Sequence, residues 1–189
     1  MSVYKDRGSK FIGLAFPVDR EETIKELLLL ARNDHPAARH YCYAWRIGVE
    51  GESWRSNDDG EPSGSAGKPI LGQLLSSQVT HALVIVVRYF GGTLLGVGGL
   101  INAYRQAAAH AIASAGIKER FVMEQFIAEF DEADVGEVMR LLKQLEAEIQ
   151  KTDYQQRHAL TFSVKSRLAS ELQQKFKGLH RVTLTPVGL

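Results

Sequence analysis

Leu160-Thr161-Phe162-Ser163-Val164-Lys165 alternates apolar and polar residues, the period-two signature of a strand buried on one face. The pattern continues in both directions. Upstream, Glu148 to Tyr154 reads as a short strand. Before it Val135, Val138, Met139, Leu142 and Leu145 recur at helical spacing, behind Asp134 as a helix-capping or first-turn acid. Phe121 to Phe130, rich in aromatic and aliphatic side chains, reads as a further strand. Downstream, Leu168 to Phe176 is helical and ends near Gly178, and Arg181 to Thr185 alternates again with Val182 and Leu184 on one face. Strand, helix, strand, strand, helix, strand is the split βαβ order, which predicts a ferredoxin-like domain over residues 119–189.

A break at Ala115-Gly116-Ile117-Lys118-Glu119 separates this unit from residues 1–118, with Gly116 placed as a helix C-cap. In the first unit Lys10 to Pro17 reads as a strand. Asp19 is positioned to cap a helix through Ala31, whose leucine-rich face requires burial. His40 to Gly48 is a second strand. A glycine-rich loop, Asn57 to Gly67, leads into a short helix bearing Ile70, Leu71, Leu74 and Leu75. Ala82 to Val87 is wholly apolar, as expected of a strand covered on both faces, and a helix runs from about Leu100 to Ala115. The fold class is α+β in two domains.

Of the 189 residues 44% are hydrophobic and 24% charged, which excludes a disordered, collagen-like or coiled-coil chain. The longest apolar run, Ala82 to Val87, falls far short of the roughly 20 residues that span a bilayer. Met1 to Lys10 is polar where a secretory leader would turn apolar, and Cys42 has no second cysteine to pair with, so a cytoplasmic location is expected. With a net charge of +1, any contact with nucleic acid must come from a local patch.

Two segments depart from ordinary core-making. One is Asp58-Asp59-Gly60-Glu61-Pro62-Ser63-Gly64-Ser65-Ala66-Gly67-Lys68-Pro69; the other is Arg88-Tyr89-Phe90-Gly91-Gly92-Thr93-Leu94-Leu95-Gly96-Val97-Gly98-Gly99-Leu100. Glycine-rich backbone running into a helix start can cradle a phosphate, with Lys68 and Arg88 supplying charge. The same glycines equally serve tight turns and close strand–helix packing. Tyr89 and Phe90 beside Arg88, and Tyr104 beside Arg105, offer aromatic and cationic groups together, as single-stranded RNA requires. Alternation along the strand turns some of these toward the core, and Phe90 is expected to be one of them.

Other chemistries fit poorly. A Walker loop ending at Gly67-Lys68 would need glycine at Pro62 and Ser or Thr at Pro69, and a dinucleotide fingerprint would need glycine at Ile101. Asp58, Asp59 and Glu61 suit a magnesium ion less well than a turn at Asp59-Gly60 with a solvated acidic rim, or charge partners for Lys68 or Arg88. Cys42 and His40 lie on one strand face, but a cysteine among Tyr41, Tyr43, Ala44 and Trp45 reads as core rather than as a nucleophile. Ser63 and Ser65 have no identifiable base, and the remaining histidines are dispersed.

The two segments together, with Val86-Val87 leading into the second, closely resemble the signature of the IMPACT family, and the whole chain is similar to its bacterial, YigZ-like branch. Two departures are Asn57, where serine is usual, and Asn102, where a basic residue is common. The resemblance implies an N-terminal domain (1–118) similar to domain IV of elongation factor G and to a small-subunit ribosomal protein domain. It implies a C-terminal domain (119–189) similar to domain V of that factor. Eukaryotic members regulate translation by binding the ribosome-associated activator of the kinase that senses uncharged tRNA, a kinase that bacteria lack. What carries over is a translation-associated binding or regulatory role, through RNA, the ribosome or a protein partner. Carried residue by residue, the matching positions are Asp58, Asp59, Gly60, Glu61, Lys68, Arg88, Tyr89, Gly91, Gly92, Gly96, Gly98 and Gly99. No catalytic role, cofactor or metal travels with them. The alternative is an enzyme or binding protein for a small phosphorylated, nucleotide-like ligand at the same loops.

Overall fold

The computed structural model describes residues 1–154 and 157–188. The chain divides into two compact units, Met1–Lys118 and Glu119–Leu189.

In the first unit β1 (Ser2–Asp6), β2 (Ser9–Pro17), β3 (His40–Ile47), β4 (Ser53–Asn57) and β5 (Ala82–Tyr89) form an antiparallel sheet in the order β1-β2-β5-β3-β4. β5 lies at its centre, which is why its sequence is apolar without interruption. Val84 and Val86 point to one face, packed with α2 (Gly67–Ser76) and α3 (Gly96–Ala115). Leu83, Ile85 and Val87 point to the other, the side of α1 (Glu21–Asp34). The buried run signals a central position here, although both of its neighbours are antiparallel.

Local departures from the sequence reading have physical causes. Helix α1 starts at Glu21 behind Arg20, and Asp19 does not cap it; only part of its leucine face is buried, with Leu29 and Leu30 exposed. Strands β1 and β4 are too short and polar to stand out, and both lie at sheet edges. Helix α3 begins at Gly96 rather than near Leu100, so Gly96, Gly98 and Gly99 form its first turn instead of a loop. Gly116 ends it with φ of +75°, its N–H donating to the Ile112 carbonyl.

The second unit contains β6 (Met123–Phe130), α4 (Val135–Gln144), β7 (Glu148–Tyr154), β8 (His158–Lys165), α5 (Ser166–Lys177) and β9 (Thr183–Pro186). Its antiparallel sheet runs β7-β8-β6-β9, the ferredoxin-like order. Leu160, Phe162 and Val164 of β8 join Phe126, Ala128 and Phe130 of β6 in a core closed by Val138 and Leu142 of α4 and Leu172 and Phe176 of α5.

Candidate functional site

The acidic segment folds onto itself. Asp59 and Gly60, with φ of +41° and +87°, occupy the two central positions of a turn closed by Glu61 N–H donating to the Asp58 carbonyl. Asp-Gly suits this left-handed pair because glycine tolerates positive φ freely and aspartate better than most residues. The Asp58 carboxylate accepts the backbone N–H groups of Gly64, Ala66 and Gly67 at 2.8–3.0 Å. Burial works against its ionisation, but these three donors and the charge of Lys68 outweigh it and hold the carboxyl below the usual range. The start of α2 is thus filled by the chain's own anion, and Lys68 stands beside that anion rather than beside an open phosphate cradle. Asp59 accepts from Arg32 at 2.9 Å and from the Tyr41 N–H at 2.7 Å.

Glu61 is turned inward. Arg88 donates to it from Nη1 at 2.7 Å and Tyr104 from its hydroxyl at 2.7 Å. Cys42 Sγ completes this buried group, 3.3 Å from the Tyr104 oxygen and 2.9 Å from the Asp58 carbonyl oxygen. Burial pushes the Cys42 thiol far up, and the Tyr104 hydroxyl likewise, which keeps both protonated. His40 does not touch Cys42: its Nδ1 lies 2.9 Å from the Asp59 carbonyl oxygen, which can only accept, so Nδ1 carries a proton. Among the described residues, no three His, Cys, Asp or Glu side chains are grouped to hold a metal ion.

Arg88 and Tyr89 are parted by strand alternation. The Arg88 guanidinium sits 5.5 Å from the Phe11 ring centroid and 5.7 Å from that of Phe90, whereas Tyr89 turns to the α1 side, its hydroxyl 3.1 Å from His35 Nδ1. Phe90 is not a core residue but 53% exposed. It forms one lip of a cleft of about 370 Å³ whose floor is Arg88 and Glu61. Arg39, His40, Leu94, Leu95, Gly96 and Val97 line it as well. Lys68 and Tyr89 are not part of this cleft.

The glycines divide into distinct roles. A Cβ on Gly91 would lie 1.9 Å from the Gly8 carbonyl carbon, so Gly91 exists for close packing on the β1–β2 turn. Gly92 and Gly96 have φ of +86° and +70°, and Gly99 packs on Leu95. Gly98 has neither constraint: its φ is ordinary and nothing lies within 4 Å of a Cβ placed there. No side chain caps this end of α3, so its first turn presents unbonded N–H groups beside the cleft. The packing reading therefore applies to Gly91 and Gly99 but not to Gly98.

A sequence model of the Impact N-terminal domain matches residues 7–112, which include this whole constellation. The chain belongs to the IMPACT family. It is 33% identical over 178 residues to the IMPACT family member YigZ of Escherichia coli (strain K12), covering 93% of this chain and 87% of that protein. To an IMPACT family member of Haemophilus influenzae it is 33% identical over 190 residues, covering 95% and 90%. A crystal structure described as that of a hypothetical protein superposes with a TM-score of 0.66 at 31% identity, covering 99% of this chain and 93% of that one. In IMPACT terms, the acidic half of the signature builds the turn and caps α2, while Leu94, Leu95, Gly96 and Val97 of the glycine half line the cleft. Among the described residues, no helix is long and apolar enough to cross a membrane.

Sequence reasoning missed Arg39, His40 and Leu94 as cleft residues. The β3–β5 register, which sets His40 directly opposite Arg88, is what brings them in. Leu94 and Val97, apolar residues set among the glycines, are the signal the sequence did hold, and the structure leaves them 82% and 54% exposed.

Proposed function

We propose that this protein is a translation-associated regulatory binding protein that contacts single-stranded RNA, such as an unpaired segment of ribosomal RNA, through the cleft at the start of α3. The observation that supports this most is the meeting of an exposed ring, Phe90, with a buried guanidinium, Arg88, and an uncapped helix start. A base stacks on the ring while its phosphate lies against the positive groups. The link to translation rests on membership of a family whose eukaryotic members are translational regulators.

Charge reversal at Arg88 is a poor test, because it would bury two carboxylates together. Arg39→Glu instead alters an exposed residue of the cleft lining, and Gly98→Asp places a carboxylate in the exposed first turn of α3. Co-sedimentation with ribosomes and with bulk tRNA, titrated with salt, tests the reading. Binding that weakens steeply with salt and is lost in both variants supports it. Binding indifferent to both variants removes the cleft from the function.

A further inference from the structure

We infer that the cleft is built for a single nucleotide bearing a phosphate monoester, either a free nucleotide or the 5′ end of an RNA strand. This rests on the cleft being the ligand site proposed above. Its volume of about 370 Å³ sits at the lower end of the roughly 300–1,000 Å³ range of small-molecule sites, enough for one nucleotide and too small for a duplex.

The charge balance selects the monoester. Glu61 is the acid lining the cleft, and Arg88 neutralises it at 2.7 Å. Arg88 is 6% exposed and lines the cleft, and its Nε is itself buried, without a hydrogen-bond partner among the described residues. The uncancelled positive charge is Arg39, about half a unit from the helix, and His40 when protonated. That is about +1.5 with His40 neutral, enough to match the charge of about −1.5 to −2 on a phosphate monoester at neutral pH, and more than the single charge of a diester.

His40 adds a hydrogen-bonding ring to the cleft lining, with its Nδ1–H committed to the Asp59 carbonyl. The charged groups around that ring are Arg88 opposite it on β5, Glu61 and Asp59 in the turn, and Arg39 beside it.

The experiment is isothermal titration calorimetry of the full chain. The ligands are uridine 5′-monophosphate, uridine, and one short oligouridylate with either a 5′-phosphate or a 5′-hydroxyl. The expected result is that each phosphorylated form binds about tenfold or more tightly than its unphosphorylated counterpart, and that His40→Gln weakens the phosphorylated forms. Arg39→Glu should weaken both by a similar factor, and circular dichroism checks that each variant is folded. Tight binding of the mononucleotide without the phosphorylated strand supports the monoester and overturns the RNA reading. Equal binding of the two strands overturns the monoester and leaves the RNA reading standing. Binding of no ligand overturns both.

Discussion

Arg88 and Glu61 form an ion pair at 2.7 Å with only 7% and 4% of their side chains exposed, and the pair is the floor of the cleft. The strand that supplies the arginine is the most buried in its sheet, and the loop that supplies the glutamate is closed by its own turns. The floor is therefore held by its own partners, and in the proposed function specificity falls to the rim.

Removing one member of a buried pair leaves the other charged and unsatisfied. Glu61→Ala is expected to cost about 3–5 kcal/mol of stability, read from urea unfolding. Replacing both partners with apolar residues, Glu61→Leu with Arg88→Met, should recover most of that loss. A single variant as stable as wild type would contradict the described pairing.

Asp58 stabilises the start of α2 through three charge-assisted bonds, so Asp58→Ala should cost about 1.5–3 kcal/mol at neutral pH. The folded-state pKa lies below the ordinary 3.8, so the unfolded chain binds the proton more readily. This contribution is complete above the ordinary value and is lost as pH falls through the folded one. Wild type should therefore lose stability below about pH 4 more steeply than the variant, as acid titration followed by circular dichroism will report.

Two glycine substitutions should behave oppositely. Gly91→Ala drives a Cβ into Gly8 backbone and should destabilise strongly. Gly98→Ala meets open space within a helix and should stabilise by up to roughly 0.5–1 kcal/mol while weakening ligand binding. Paired thermal melts and binding isotherms separate the two.

Phe90→Ala removes a half-exposed ring from the lip. Stability should change by no more than about 0.5 kcal/mol. Affinity for single-stranded RNA should fall by about 1–3 kcal/mol, the worth of one base stacked on an aromatic side chain.

Cys42 is buried and held protonated, so thiol reagents should modify it only at the rate of unfolding. Rapid labelling of the native chain would show that the Cys42–Tyr104 region opens locally.

The ferredoxin-like unit was legible because period-two and helical spacing alternate cleanly in residues 121–185, and each apolar face has a single core to join. The central position of β5 was legible for a related reason, since a strand buried on both faces shows no alternation. The cleft was legible only as segments. That Arg88 meets Glu61 follows from a turn 27 residues away in sequence folding back across the sheet, and no local pattern encodes that distance. Phe90 looked like core because it adjoins a buried strand, yet that strand ends at Tyr89 and leaves Phe90 on the lip. Lys68 looked like an anion ligand because its helix start is glycine-rich, but Asp58, ten residues earlier, already occupies it.

The most direct test of the proposal that the cleft binds RNA is an amide NMR titration of the full chain with a short single-stranded oligoribonucleotide. Shifts concentrated at Phe90, Gly96, Val97, Gly98 and Gly99, and absent in Gly98→Asp, are the predicted result. Shifts concentrated on the β6–β9 sheet with the α3 start unchanged, or no shifts at all, would contradict it.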